Sequence, residues 1–260
     1  MAQDFAGDLF DSKRSAELYA RARPYHHDLV IQRIAAKLEI DDRLDDVLDV
    51  ACGTGLSCIA LKQIAKRIVG SDISAAMLAQ AERDERIDYL RCPAEALPLA
   101  SRSFDLLTVS SGLHWFERHA FLAEASRVLR PRGWLVIYDN FFSANLRGNP
   151  AFKPWFNSTY LQRFPTPLRD NQPLGDQSAR HAGFHLLAQE KYANVVFFDR
   201  EQLVDYLLTQ TNVLAAIQGG DWTLNDARTY LTDEVSPYVP SSEPQAFDFG
   251  GPIAYLRKIG

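Results

Sequence analysis

Cysteine is scarce in this 260-residue sequence: Cys52, Cys58 and Cys92 are too few for a disulfide framework. No apolar run approaches the roughly 18 residues needed to cross a bilayer, so no membrane span is predicted. The N-terminal MAQDFAGDLF is acidic and has no apolar h-region, which predicts no signal peptide and a cytoplasmic protein. An excess of positive charge is also missing. With 28 Lys+Arg against 33 Asp+Glu, the formal net charge of -5 argues against long-range attraction to nucleic acid or anionic lipid. There is no internal repeat, no low-complexity tract, no HExxH and no cysteine cluster. His181 and His185 are spaced like a helical pair, but Gly183 interrupts them, so no metal site is expected. Composition is otherwise ordinary, with 47% hydrophobic and 23% charged residues, which excludes disordered, collagenous and coiled-coil classes.

What is present is an alternation of short apolar runs with helix-like stretches, the pattern of a parallel sheet with helices on both faces. Strands are predicted at Val47–Val50, Arg67–Gly70, Ile87–Arg91, Phe104–Val109 and Trp134–Asn140. Helices are predicted at Ile59–Ala65, at Ser74–Arg83 with Ser74 as N-cap, and at Glu117–Leu129. The second half is less regular. Phe141–Thr166 is aromatic, broken by prolines, and reads as irregular structure with short helices. Gly175–Ala182 and Glu201–Thr211 read as helices, Phe184–Phe198 as a long strand, and Pro252–Ile259 as a final strand after a Pro- and Gly-rich loop. That last strand needs a sheet to join, which predicts one domain with an inserted cap.

The strongest local feature is Asp49-Val-Ala-Cys-Gly53-Thr-Gly55, a glycine turn directly after a strand and before a helix. Such a turn lets a ligand approach the backbone and the unpaired N–H groups of the helix. Asp72 ends the second strand, where an acid can bind both hydroxyls of a ribose. Three interpretations are open: a purely structural turn, a nicotinamide or flavin dinucleotide site, and an adenosine ligand without pyrophosphate. Cys58 occupies the place of the third glycine in the dinucleotide fingerprint, which favours the last.

The segments VLDVACGTG, SDISAAML, CPAEALPLASRSFDLLTVSSGLHWF and EASRVLRPRGWLVIYD, in this order and spacing, closely resemble the class I S-adenosylmethionine-dependent methyltransferases of the type 11, small-molecule branch. The resemblance is good over 43–140, loose over 14–42, and fades after 141. It implies a Rossmann-like, doubly wound seven-stranded α/β sheet of order 3-2-1-4-5-7-6 with strand 7 antiparallel. Phe184–Tyr192 and Pro252–Ile259 would then be strands 6 and 7. It also implies N-terminal lid helices in 1–42, a cofactor core in 43–140, cap segments in 141–183 and 199–248, and closing strands in 184–198 and 252–259, all within a single domain 1–260.

For the cofactor, S-adenosyl-L-methionine, the resemblance implies Asp49 at the methionine amino group, Ala51, Gly53 and Gly55 along the loop, and Asp72 on the ribose. Ile73, Met77, Ala94 and Glu95 would surround the adenine, with Ser110 or Ser111, and Arg23, at the methionine end. Two departures stand out: Ala51 where relatives often carry Gly, and Cys92-Pro93 where many carry Gly-Asp. The expected reaction is methyl transfer to a small organic acceptor, with an oxygen ahead of nitrogen. The alternatives are carbon methylation of a quinone-like or lipid acceptor, an NAD(P)-dependent oxidoreductase, and a noncatalytic scaffold. His114 and Tyr19 are the candidate catalytic groups; Tyr19, His114, Trp115, Phe141, Trp155 and Arg169 are the candidate substrate pocket. His26 and His27, as helical neighbours, are expected to point apart. The expected partner is a small molecule, with no nucleic acid and no metal, and the protein would be a monomer or homodimer.

Overall fold

The computed structural model describes residues 9–170, 172, 174–240 and 243–260; residues 1–8, on which the signal-peptide expectation and the start of the lid rest, lie outside them. The chain opens with helices α1 (Lys13–Ala22) and α2 (His27–Leu38). It then alternates through β1 (Leu44–Val50), α3 (Leu56–Leu61), β2 (Ala65–Asp72), α4 (Ala75–Leu78), β3 (Ile87–Arg91) and β4 (Phe104–Ser110). After a short turn at Leu113–Trp115 come α5 (Arg118–Val128) and β5 (Leu129–Tyr138). β1 pairs in parallel with β2 and β4, β2 with β3, and β4 with β5.

These strands are apolar on both faces because helices cover both. In β1, Leu48 and Val50 pack toward α5, and Val47 packs toward α2 and α3. Helix α5 buries Phe121, Leu122, Ala125 and Val128, a spacing that forms one helical stripe. Helix α2 does the same with Val30, Ile31 and Ile34 on the opposite face. Asp49, in register with these apolar neighbours, is carried into the interior with no exposed surface.

The closing strands follow the predicted order with one addition. β7 (Phe184–Phe198) and β8 (Gln245–Lys258) form a long antiparallel hairpin, and β8 inserts beside β5, also antiparallel. The order β3-β2-β1-β4-β5-β8, with β7 on the far side of β8, is the expected 3-2-1-4-5-7-6 arrangement. The addition is β6 (Phe141–Leu146), which pairs with the outer half of β8 where irregular structure was expected. Two further corrections concern glycine and helix length. Gly250 and Gly251 are not loop residues but lie within β8, where a Cβ would run into the Tyr192 and Asp139 carbonyl oxygens. The helix expected over 74–83 is the single turn α4, capped as expected by Ser74, whose Oγ accepts from Met77 N at 3.1 Å. The chain must turn there to reach β3, and Asp84 fixes that turn by pairing with Lys62 and accepting from Arg86 N.

Between β7 and β8 lie α9 (Arg200–Leu208), α10 (Thr211–Gln218) and α11 (Leu224–Val235); between β6 and β7, helical turns run over Phe152–Trp155, Phe156–Tyr160 and Leu161–Arg163, followed by α8 (Asp176–His181). We number the turns at Phe152–Trp155 and Leu161–Arg163 α6 and α7. This part has its own apolar core, in which Phe152, Tyr160, Phe164, Leu203, Leu207, Leu231 and Phe247 are fully or almost fully buried. Leu18 of α1 joins that core, and Arg21 pairs with Asp205 of α9 at 2.9 Å. The N-terminal helix thus bridges the sheet's carboxyl edge and the cap helices.

Candidate functional site

Two adjoining cavities open at the carboxyl ends of β1, β2 and β4, where ligands bind in open α/β sheets. They share Tyr19, Ala51, Gly53, Ser110 and Ser111. Their common wall is strained: Ala51 and Ser111, neither of them glycine, sit at φ 57° and 54°. This conformation costs a residue with a Cβ on the order of 1 kcal/mol or more, and it explains why glycine would be natural at position 51.

Asp72 borders the first cavity, and its carboxylate is aimed by the backbone. One oxygen accepts from Gly53 N at 2.8 Å and the other from Ser74 N at 2.9 Å. Burial pushes its pKa up, partly offset by these hydrogen bonds. Around it lie Ile73, Met77, Cys92, Pro93, Ala94, Glu95, Trp115 and Phe116, flat and mainly apolar surfaces suited to a purine. Gly53 is needed for its φ of 55°, and its missing Cβ leaves the cavity open above Met77. Phe10 covers the entrance, edge-on to Tyr19 at 5.8 Å and to Trp115 at 6.5 Å. Its neighbour Asp11 accepts from Ser74 Oγ at 3.1 Å.

Two loop residues expected at the ligand sit elsewhere. Gly55 borders neither cavity; its φ of 78° starts α3, and a Cβ there would run into the Tyr89 hydroxyl. Asp49 is fully buried under the loop, where its carboxylate accepts from Ser57 Oγ, Thr108 Oγ1 and, at 3.6 Å, Cys58 Sγ. Burial raises its pKa to about 6. It ties β1, α3 and β4 together beneath the loop.

The second cavity adds Arg23, His26, His27, Asn140, Tyr206 and Phe249. Arg23 lies over the rings of Tyr19 (4.5 Å) and Tyr206 (5.5 Å) and donates to Thr209 O at 2.8 Å, with no acidic partner among the described residues. The two histidines do not point apart. His26 is the N-cap of α2, outside the helical periodicity, so its ring centroid falls 4.2 Å from that of His27. His27 Nδ1 is 2.9 Å from the buried Tyr138 hydroxyl.

The expected substrate pocket is only partly assembled. Tyr19 and Trp115 line the cavities, and Arg169 lies 5.1 Å over the Trp115 ring. His114 borders neither cavity; it packs on Trp115 at 4.9 Å, and burial lowers its pKa to about 4. Phe141 is 56% exposed at the start of β6. Trp155 is buried in the cap core, where Nε1 donates to Glu234 at 2.8 Å. Trp155→Phe should therefore cost about 1–2 kcal/mol of stability, measured by denaturant unfolding, with ligand binding unchanged. Ser110 and Ser111, the alternatives expected after the fourth strand, both line the cavities. Sequence reasoning missed Phe10, Asn140, Tyr206 and Phe249; Tyr206 and Phe249 come from the cap and carry no motif.

Among the described residues, no group of three or more His, Cys, Asp or Glu is placed to hold a metal ion, and no helix is long and apolar enough to cross a membrane.

Comparison with known proteins agrees with the fold. Residues 48–137 match a methyltransferase domain model. A malonyl-[acyl-carrier protein] O-methyltransferase of Buchnera aphidicola is 30% identical over 162 residues, covering 59% of this chain and 65% of that protein. A demethylmenaquinone methyltransferase of Clavibacter sepedonicus is 38% identical over 96 residues, covering 35% and 39%. The chain thus spans less than two thirds of the length of these curated relatives. A solved structure from Anaeromyxobacter dehalogenans, described as a candidate type II methyltransferase, superposes with a TM-score of 0.68 at 22% identity, covering 91% of this chain and 97% of that one.

Proposed function

We propose that the chain is a class I S-adenosylmethionine-dependent methyltransferase, a reading supported by the domain match and the curated relatives, and that it transfers a methyl group from S-adenosyl-L-methionine to an oxygen of a small organic acceptor. The observation that carries this is the Asp72 carboxylate, held by Gly53 N and Ser74 N beside an apolar, purine-sized cavity. A carboxylate acceptor beside an apolar wall fits the two hydroxyls and flat base of an adenosine. Ile73, Met77, Ala94 and Glu95 would border the base, and Arg23, with no acidic partner among the described residues, would pair with the cofactor's carboxylate across the shared wall. Cys92 and Pro93 line this cavity in place of a Gly-Asp pair, so the adenine amine has no carboxylate from that position.

When bound, the sulfonium supplies an activated methyl group. The protein's part is to align the acceptor and exclude water. Phe10, Tyr19 and Trp115 form the cover that does so, with α1 as lid and the helices between β6 and β8 as cap. An oxygen acceptor is favoured by the match to the Buchnera relative, an O-methyltransferase. Carbon methylation of a quinone-like acceptor is the second possibility, supported by the demethylmenaquinone methyltransferase match.

Turnover is tested by following methyl-labelled cofactor into product across panels of small carboxylic acids, phenols and quinols. Stoichiometric S-adenosylhomocysteine with a methylated oxygen product is expected; a methylated carbon would transfer the assignment to the second possibility, and labelled cofactor bound but never consumed would leave a scaffold. His114→Gln should keep turnover within a few-fold of wild type, because the ring borders neither cavity. A hundred-fold loss would make it a base after all.

A further inference from the structure

The second cavity contains hydrogen-bonding capacity that neither the fold nor the cofactor assignment uses. Arg23, His26 and Asn140 all line it, and Arg23 Nε, His26 Nε2 and Asn140 Oδ1 are buried with no hydrogen-bond partner; with Arg23 assigned to the cofactor's carboxylate, the two acceptors remain. Orphaned buried polar atoms are rare in folded proteins, and each represents an interaction that a ligand can restore. What they would accept follows from the tautomer. His26 Nδ1 faces the Pro24 carbonyl oxygen at 3.4 Å, and since a carbonyl only accepts, Nδ1 carries the hydrogen. Nε2 is then a lone pair. Burial and the Arg23 guanidinium nearby lower the His26 pKa to about 4, which keeps the ring neutral. The ring is held in place between Tyr192, parallel to it at 6.4 Å, and His27.

Unsatisfied acceptors require a ligand that donates. A carboxylate offers no hydrogen and would leave them unpaired. A neutral hydroxyl supplies one hydrogen without placing a charge beside the neutral His26 ring. Tyr19, Tyr206 and Phe249 give the same cavity aromatic surfaces on which a ring can lie.

We propose that the second cavity is the acceptor site, that His26 Nε2 receives the hydrogen of a neutral hydroxyl, and that this hydrogen bond selects phenol-like acceptors over carboxylates. The proposal rests on the methyltransferase assignment and narrows its acceptor class.

The test uses the full chain, labelled with ¹⁵N in its histidines and saturated with S-adenosylhomocysteine. Phenol, anisole and benzoate are the probes. Anisole has the same ring with the donor hydrogen replaced by methyl, and benzoate carries the anion. Phenol should shift the His26 Nε2 resonance and bind at least several-fold tighter than anisole or benzoate. His26→Leu should abolish that discrimination and leave S-adenosylhomocysteine affinity within about twofold. Equal binding of phenol and anisole, a preference for benzoate, or no phenol-dependent shift at His26 would each overturn the proposal. So would a His26 shift produced in full by S-adenosylhomocysteine alone. Failure of S-adenosylhomocysteine itself to bind folded protein would instead refute the underlying methyltransferase assignment, so the two failures are distinguishable.

Discussion

Asp72→Ala should weaken S-adenosylhomocysteine binding by two to four orders of magnitude. A buried carboxylate accepting from both ribose hydroxyls makes two charge-assisted hydrogen bonds, each contributing roughly 1.5–3 kcal/mol, and every 1.4 kcal/mol is about tenfold in affinity. Part of the loss comes through the loop. Asp72 accepts from Gly53 N and Ser74 N, so alanine also releases the backbone that shapes the cavity. Asp72→Asn separates the two contributions. Its amide oxygen still accepts one backbone hydrogen bond but brings no charge, so binding should fall between wild type and alanine. Calorimetric titration of protein with an unchanged unfolding transition measures all three. Wild-type affinity in the alanine variant would remove Asp72 from the ribose.

Asp49→Asn should reverse its effect on stability with pH. Asp49 has no exposed surface, and burial raises its pKa to about 6 despite hydrogen bonds from Ser57, Thr108 and Cys58. In the unfolded chain an aspartate titrates near 3.9, so between about pH 4 and pH 6 the folded state binds the extra proton. Wild-type stability relative to Asp49→Asn therefore falls as pH rises through that window and levels off above it. Two pKa units correspond to about 3 kcal/mol. Paired denaturant unfolding of the two proteins across pH 4 to 7 measures this. A difference that stays constant would mean that Asp49 titrates normally and that the hydrogen bonds under the loop fully offset its burial. The residue would then be a loop anchor with no penalty, an arrangement its complete burial argues against.

The half of the chain that builds the first cavity was legible because its signals are local. A run such as Val47–Val50 followed by glycine leaves few options, and an acid at the end of the next strand sits beside that glycine by parallel pairing alone: Asp49 pairs with Gly70 and Val50 with Ser71. The two closing strands were legible as apolar stretches at Phe184–Phe198 and Pro252–Ile259, and their antiparallel placement followed from the family resemblance. What failed was set by distant parts of the chain. β6 is an edge strand interrupted by a register shift, with Ala144 at φ 55°, so its pattern carries no clean period of two. Gly250 and Gly251 look like a loop, yet they mark close approach to neighbouring backbone within β8. His26 and His27 share a cavity only because the first is a cap and the second is helical. The aromatic cluster at Phe152–Tyr160 promised a pocket equally with a core, and packing against α9 and α11 makes it a core.

The central claim is an adenosine site governed by Asp72 in a methyltransferase, and its most direct measurement is native mass spectrometry of the purified protein with S-adenosylmethionine, with S-adenosylhomocysteine and with NAD in separate samples. A one-to-one adduct with each of the first two, lost in Asp72→Ala, and none with NAD, is the expected result. An adduct with NAD alone, or none with the two sulfur ligands in protein shown to be folded, would contradict it.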